Sequence, residues 1–177
     1  MNNSSSSDRR SGLAGACLKD FNLKFLSIAL CALMLPQAAY SQIEISEFMA
    51  SNDETLFDED GDASDWIELH NTGSDSVDLA DWYLTDDEDE LTQWQFPSTI
   101  LEANSYIVVF ASNKERAISG SELHTNFRLG RGGEYLGLIA PDGVTVVSDY
   151  APEYPRQFDD ISYGGRKLFL TSNTRCT

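Results

Sequence analysis

The apolar residues of this chain come in short runs, and turn-forming residues cut each run before a helical period can develop. Trp66-Ile-Glu-Leu-His70 puts Ile67 and Leu69 on one face and Trp66, Glu68 and His70 on the other, and Asn71-Thr-Gly-Ser-Asp-Ser76 ends it. Ile43 to Phe48 alternates more loosely, with Ile43 and Ile45 on one side. Val77 to Leu84 supplies Val77, Leu79, Trp82, Tyr83 and Leu84, and Leu91 to Phe96 alternates until Pro97 stops it. Tyr106 to Ala111 is apolar throughout, as expected of a strand covered on both sides. Tyr135–Ile139 and Val144–Val147 flank Pro141-Asp142-Gly143, which is hairpin chemistry. Period-two runs of β-branched and aromatic residues with frequent turns specify an all-β sandwich or barrel. The expected form is a two-layer sandwich of about seven to nine strands. Ile67, Leu69, Leu79, Trp82, Leu84, Ile107, Val109, Leu136 and Leu138 are its expected core. The one helical signal is a single turn over Ser112–Ile118, capped by Ser112.

The amino-terminal part is of another kind. A polar stretch with Arg9, Arg10, Lys19 and Lys24 precedes the apolar run Phe25–Leu35, then Pro36, then the small residues Ala39 and Ser41 around Tyr40. This is the order of a secretory signal peptide, with residues 1–41 as the leader and Gln42 as the first mature residue. The apolar run is too short for a membrane anchor, which needs about 20 residues. Removing 41 residues from 177 leaves 136, enough for one domain with one core. Residues 42–164 are read as that domain and 165–177 as a short tail. The tail is either a last edge strand at Leu168-Phe-Leu170 or the remnant of a truncated reading frame.

With eight basic against 27 acidic residues, the mature part carries a net charge of −19. Such a surface repels phosphate backbones and anionic lipid, which argues against nucleic acid as a partner. Of the three cysteines, Cys17 and Cys31 leave with the leader, so Cys176 has no internal partner and the core must hold the fold without a disulfide.

Three stretches in order carry a family likeness: Asp58-Glu-Asp-Gly-Asp-Ala-Ser-Asp-Trp-Ile-Glu-Leu-His-Asn71, Val77-Asp-Leu-Ala-Asp-Trp-Tyr-Leu-Thr-Asp86 and Asn104-Ser-Tyr-Ile-Val-Val-Phe-Ala-Ser112. Together with Glu122–Leu129 and Gly133–Leu138 they resemble the bacterial, exported branch of the lamin-tail domain family, over about Ile43 to Gly164. The resemblance implies an immunoglobulin-like β-sandwich without catalytic residues of its own, used as an accessory or interaction module.

Little else in the chain proposes chemistry. His70 and His124 have no partner at a metal or catalytic spacing, and both read as surface or boundary histidines. No G-x-S-x-G elbow is present. Arg128 and Arg131 are expected in internal salt bridges, and Trp66, Trp82 and Trp94 in the core rather than on a sugar platform. The one candidate metal site is the loop Asp58–Asp65, where Asp58, Asp60, Asp62 and Asp65 surround Gly61. Calcium takes six to eight oxygens, and alternate aspartates around a glycine are one way to gather them. The spacing is not that of an EF-hand, and a solvated acidic turn capping the strand at Trp66 is the plainer alternative. The expectation is therefore a non-enzymatic module, secreted or periplasmic/extracellular and without a membrane span once its signal peptide is cleaved, that binds or spaces an unidentified protein or cell-surface partner. A carbohydrate-binding accessory domain of a degradative enzyme is the alternative.

Overall fold

The computed structural model describes residues 42–165; the signal peptide assigned to 1–41 and nearly all of the tail, 166–177, lie outside the described residues. Ten strands follow in order: β1 Ile43–Met49, β2 Asp65–Asn71, β3 Val77–Asp78, β4 Tyr83–Thr85, β5 Trp94–Gln95, β6 Ile100–Leu101, β7 Tyr106–Ala111, β8 Leu123–His124, β9 Leu136–Ile139 and β10 Val146–Tyr150. They form one four-stranded sheet, β1-β2-β7-β8, a second, β10-β9-β4-β5, and the small pair β3-β6. Every pairing is antiparallel except β7 with β8. This is an immunoglobulin-like β-sandwich. The ten strands exceed the seven to nine expected because four of them, β3, β5, β6 and β8, are two residues long.

The core lies between the two large sheets. Ile67, Leu69, Leu79, Trp82, Leu84, Val109, Leu136 and Leu138 are fully or almost fully buried, as the alternation requires. In β1 the inward residues are Ile43, Ile45 and Phe48, a sequence that breaks the two-residue period. A bulge between Ile45 and Glu47 absorbs the extra residue, so Phe48 rather than Glu47 faces the core. There Phe48 meets Tyr150, Tyr154 and Tyr163 at ring-centroid distances of 5.0, 4.6 and 5.6 Å. The sheets are also stitched along both sides. The Ile45 N–H donates to Ser148 Oγ at 3.1 Å, joining β1 to β10. Asn126 Nδ2 donates to the Gln93 carbonyl at 2.8 Å, beside β8 and β5.

Three local expectations need correction. β7 is covered on both sides only over Val109–Ala111; Tyr106 is exposed, and Ile107 and Val108 are half-buried. Outer-face cover reaches only the far end, where Thr55 touches Met49 and His124 stacks on Phe110. The Leu91–Phe96 run sends Trp94 and Phe96 inward and Gln95 outward, but only Trp94–Gln95 is strand. Gln93 Oε1 instead accepts from the Thr85 hydroxyl and the Asp86 N–H, closing the loop after β4. Ser112–Ile118 is not helical. Asn113 and Glu115 sit at φ of 61° and 51°, a left-handed conformation that a right-handed helix cannot contain. The segment runs antiparallel to residues 124–127, bonded through Asn113 N to Phe127 O, Glu115 N to Thr125 O and reciprocally between Arg116 and His124.

Candidate functional site: the acidic loop and the cavity beside it

The loop between β1 and β2 is organised from within by Asp58, whose side chain is fully buried. Its Oδ1 accepts the N–H groups of Asp60 and Asp62, both at 3.0 Å, and its Oδ2 accepts the Ser64 hydroxyl at 2.9 Å. Gly61, at φ +82°, makes the turn and donates its N–H to the Asp58 carbonyl. The residues read as alternating ligands are thus bound first to their own loop.

The structure brings Asp58, Asp60 and Asp62 together, with one carboxylate oxygen from each within 4.8 Å of the others. At that meeting point it places a side chain. Lys114 Nζ lies 2.6 Å from Asp58, 2.8 Å from Asp60 and 2.9 Å from Asp62. Arg116 extends the network, with NH2 2.9 Å from Asp60 Oδ2 and NH1 on Glu59. The two left-handed residues, Asn113 and Glu115, each precede one of these cations in the sequence. Burial pushes the Asp58 carboxyl up, but the bonds from Lys114, the loop backbone and Ser64 outweigh it and hold Asp58 at about 2. Hydrogen bonds from Lys114 and then Arg116 lower Asp60. Burial disfavours the charged ammonium of Lys114, yet its three aspartate partners raise its pKa well above the usual lysine value.

Asp65, the fourth predicted ligand, is not part of this group. Its Oδ1 accepts the Asn52 N–H at 3.1 Å, which ties the two ends of the loop together. Among the described residues no ion pair offsets its desolvation. Burial dominates and raises its carboxyl to about 6, against the lowering effects of Asn52 and Arg128 and with the repulsion of Asp53 and Glu134.

Between the loop and the end of β7 lies a cavity of about 410 Å³, lined chiefly by Asp62, Ser64, Asp65, Ser112, Lys114 and Arg128. Arg128 Nε donates to the Ser112 carbonyl at 3.2 Å, and no carboxylate of the described residues pairs with it. Arg131 does form the expected salt bridge, 2.7 Å from Asp159.

His70 is a boundary residue as expected, stacked on Tyr106 at 4.1 Å and 3.8 Å from Glu44. His124 is not; it is fully buried, because the strand after the 112–118 segment carries it inward. Its Nδ1 is 2.9 Å from Ser112 Oγ and its Nε2 is 3.4 Å from Arg116. Burial, then the nearby Arg116 and Lys114, lower its pKa and favour the neutral ring. The Ser112–His124 pair lacks a carboxylate to orient the imidazole, since an arginine occupies that side. Trp82 and Trp94 are in the core, and Trp66 is half-buried.

Sequence reasoning missed Lys114 altogether, placing it in a short helix. The pair of odd-numbered residues forced left-handed around it left no mark that the sequence pattern could reveal. The Lamin Tail Domain family model matches residues 36–152. No curated protein matches the chain.

Proposed function

Because the chain belongs to the lamin tail domain family, a non-catalytic immunoglobulin-like domain family that suggests a protein-interaction module, we propose that it works outside the cytoplasm as a binding or spacing module for another protein. The observation that carries this reading over the carbohydrate-binding one is the burial of Trp82 and Trp94. A sugar platform needs flat, exposed aromatic faces, and two of the three tryptophans have none to offer. The whole chain is proposed not to be an enzyme: its buried serine–histidine pair has no orienting acid among the described residues, and the shifted groups beside that pair, Asp58 and Lys114, belong to a salt-bridge network. The strong negative charge argues against nucleic acid and anionic lipid as the main partners and suits a basic protein surface.

For the acidic loop, the geometry favours Lys114 as the resident cation. Calcium would have to displace an ammonium that holds three carboxylates at once. Capture of cell-surface proteins by the tagged chain, followed by cross-linking and mass spectrometry, tests the module reading. Saturable micromolar binding to a glycan panel, with no protein captured, would reverse it in favour of the sugar-binding alternative. Mass spectrometry of the native amino terminus tests export, with Gln42 as the expected first residue.

A further inference from the structure

The cavity between the acidic loop and β7 has its polar lining almost wholly committed to internal partners. The Lys114 ammonium is held by three aspartates. The Ser64 hydroxyl is on Asp58, and the Ser112 hydroxyl is on His124. Asp62 is drawn to Lys114. Two groups are exceptions: Arg128, bonded only through Nε to the Ser112 carbonyl, and Asp65, whose Oδ1 has the Asn52 N–H while its Oδ2 makes no hydrogen bond or ion pair with any described residue. A half-buried carboxylate that lines a cavity and has no ion-pair partner among the described residues is what a ligand cation would complete. We propose that this cavity receives a lysine or arginine side chain of a partner protein, whose charged head pairs with Asp65 Oδ2. The inference rests on the interaction-module reading and names the partner chemistry of one site on it.

Charge around the cavity decides the sign of the ligand. Asp58, Glu59, Asp60, Asp62 and Asp65 are contributed by the loop and Glu122 joins them through the Glu59 N–H. Against these six stand Lys114, Arg116 and Arg128. An anion entering to meet Arg128 would lie beside Asp62 and Asp65. Arg128 is itself exposed at the rim, so water already solvates it, whereas Asp65 is the desolvated member. A cation on Asp65 therefore relieves a cost present in the free protein, and an anion on Arg128 relieves none.

The test uses the full chain and three capped pentapeptides that differ only at the central residue: lysine, norleucine or glutamate. Binding is followed by the amide resonances of Ser64, Asp65, Ala111 and Ser112 at pH 7.5. The lysine peptide should shift these resonances saturably, and the norleucine and glutamate peptides should not. Asp65→Asn should weaken lysine-peptide binding at least tenfold, Arg128→Gln should strengthen it by removing a like charge, and Asp53→Asn should change it less than twofold. Lowering the pH to 5 should weaken binding in the wild type only. The groups facing Asp65 that set this dependence are Asp53, Asp62, Lys114, Arg128 and Glu134. Equal binding of the norleucine peptide, preferred binding of the glutamate peptide, an Asp65→Asn variant that binds as the wild type does, or an equal loss in Asp53→Asn overturns the proposal. A partner captured by the intact chain but indifferent to Asp65→Asn would remove this site and leave the module reading standing.

Discussion

Asp65 is a carboxylate that the fold holds at a cost, so replacing it by asparagine should stabilise the protein at neutral pH. The side chain moves from an ordinary value of 3.8 to about 6 on folding. At about 1.4 kcal/mol per pH unit, its ionised form costs the folded state about 3 kcal/mol. Asparagine keeps an oxygen for the Asn52 N–H and carries no charge to desolvate. That cost already includes the attraction of Arg128, and solvent screening of the partly exposed side chain reduces it, so the net gain is expected to be about 2 kcal/mol. The sign with pH follows from the raised value. Above about 6 the folded protein bears the full penalty; as pH falls toward 3.8 the folded state takes up the proton first, and below that the two states are alike. The gap between Asp65→Asn and wild type should thus be largest above pH 7 and close by about pH 4. Urea denaturation followed by tryptophan emission reads this directly, since Trp82 and Trp94 are buried in the native state. With a slope of about 2 kcal/mol per molar urea, the midpoint should rise by about 1 M at pH 7.5. A variant that is less stable than wild type at pH 7.5, or equally shifted at pH 4 and pH 7.5, would refute the reasoning.

Lys114→Met should destabilise the domain by roughly 2–4 kcal/mol at pH 7, because it leaves the buried Asp58 carboxylate without its ammonium. Asp58 has a lowered pKa, so its contribution is present above 3.8 and is lost as pH falls through about 2; the Lys114→Met deficit should accordingly shrink in acid denaturation series. Millimolar calcium should raise the melting temperature of Lys114→Met more than that of wild type, and an equal rise in both would show that the ammonium is no competitor. Asn71→Ala should cost roughly 2–4 kcal/mol, since Asn71 Nδ2 satisfies the carbonyls of Asp75, Leu101 and Glu102 while its Oδ1 takes the Gly73 N–H; the denaturation midpoint measures it. Phe48→Ala should cost roughly 3–5 kcal/mol and reduce the near-ultraviolet dichroism of the tyrosines packed on that ring.

The layers of the fold were legible wherever a run was long enough to show its period. Ile67 and Leu69 in β2 alternate across one strand, and burial follows them without exception. Phe48 shows the same physics through its failure: its offset from Ile43 and Ile45 is resolved by a bulge, which bends the strand to keep the aromatic ring inside. Two-residue strands such as β3 and β6 have no period to detect. They exist because Asp78 Oδ1 accepts the Ala80 and Thr99 N–H groups and its Oδ2 the Ser98 hydroxyl, pinning the two segments together. The false helix at Ser112–Ile118 has helix-compatible composition. Its bonds, however, go to Thr125, His124 and Phe127, and that pairing overrides weak local propensity.

The candidate site was half legible for a related reason. Asp58 and Asp65 are the same residue type, seven positions apart in one loop, and sequence gave them the same role. In the fold one is held at about 2 and the other pushed to about 6. Both are desolvated, so burial alone cannot separate them. What separates them is a lysine 56 positions from Asp58 that reaches its Oδ2 at 2.6 Å and leaves Asp65 without such a partner. Acidic spacing within a loop reports how many oxygens can converge, but not whether the chain supplies its own cation. Here it supplies one for three of the four aspartates, and the fourth, left with a free oxygen beside a cavity, is the position at which an external positive charge gains most.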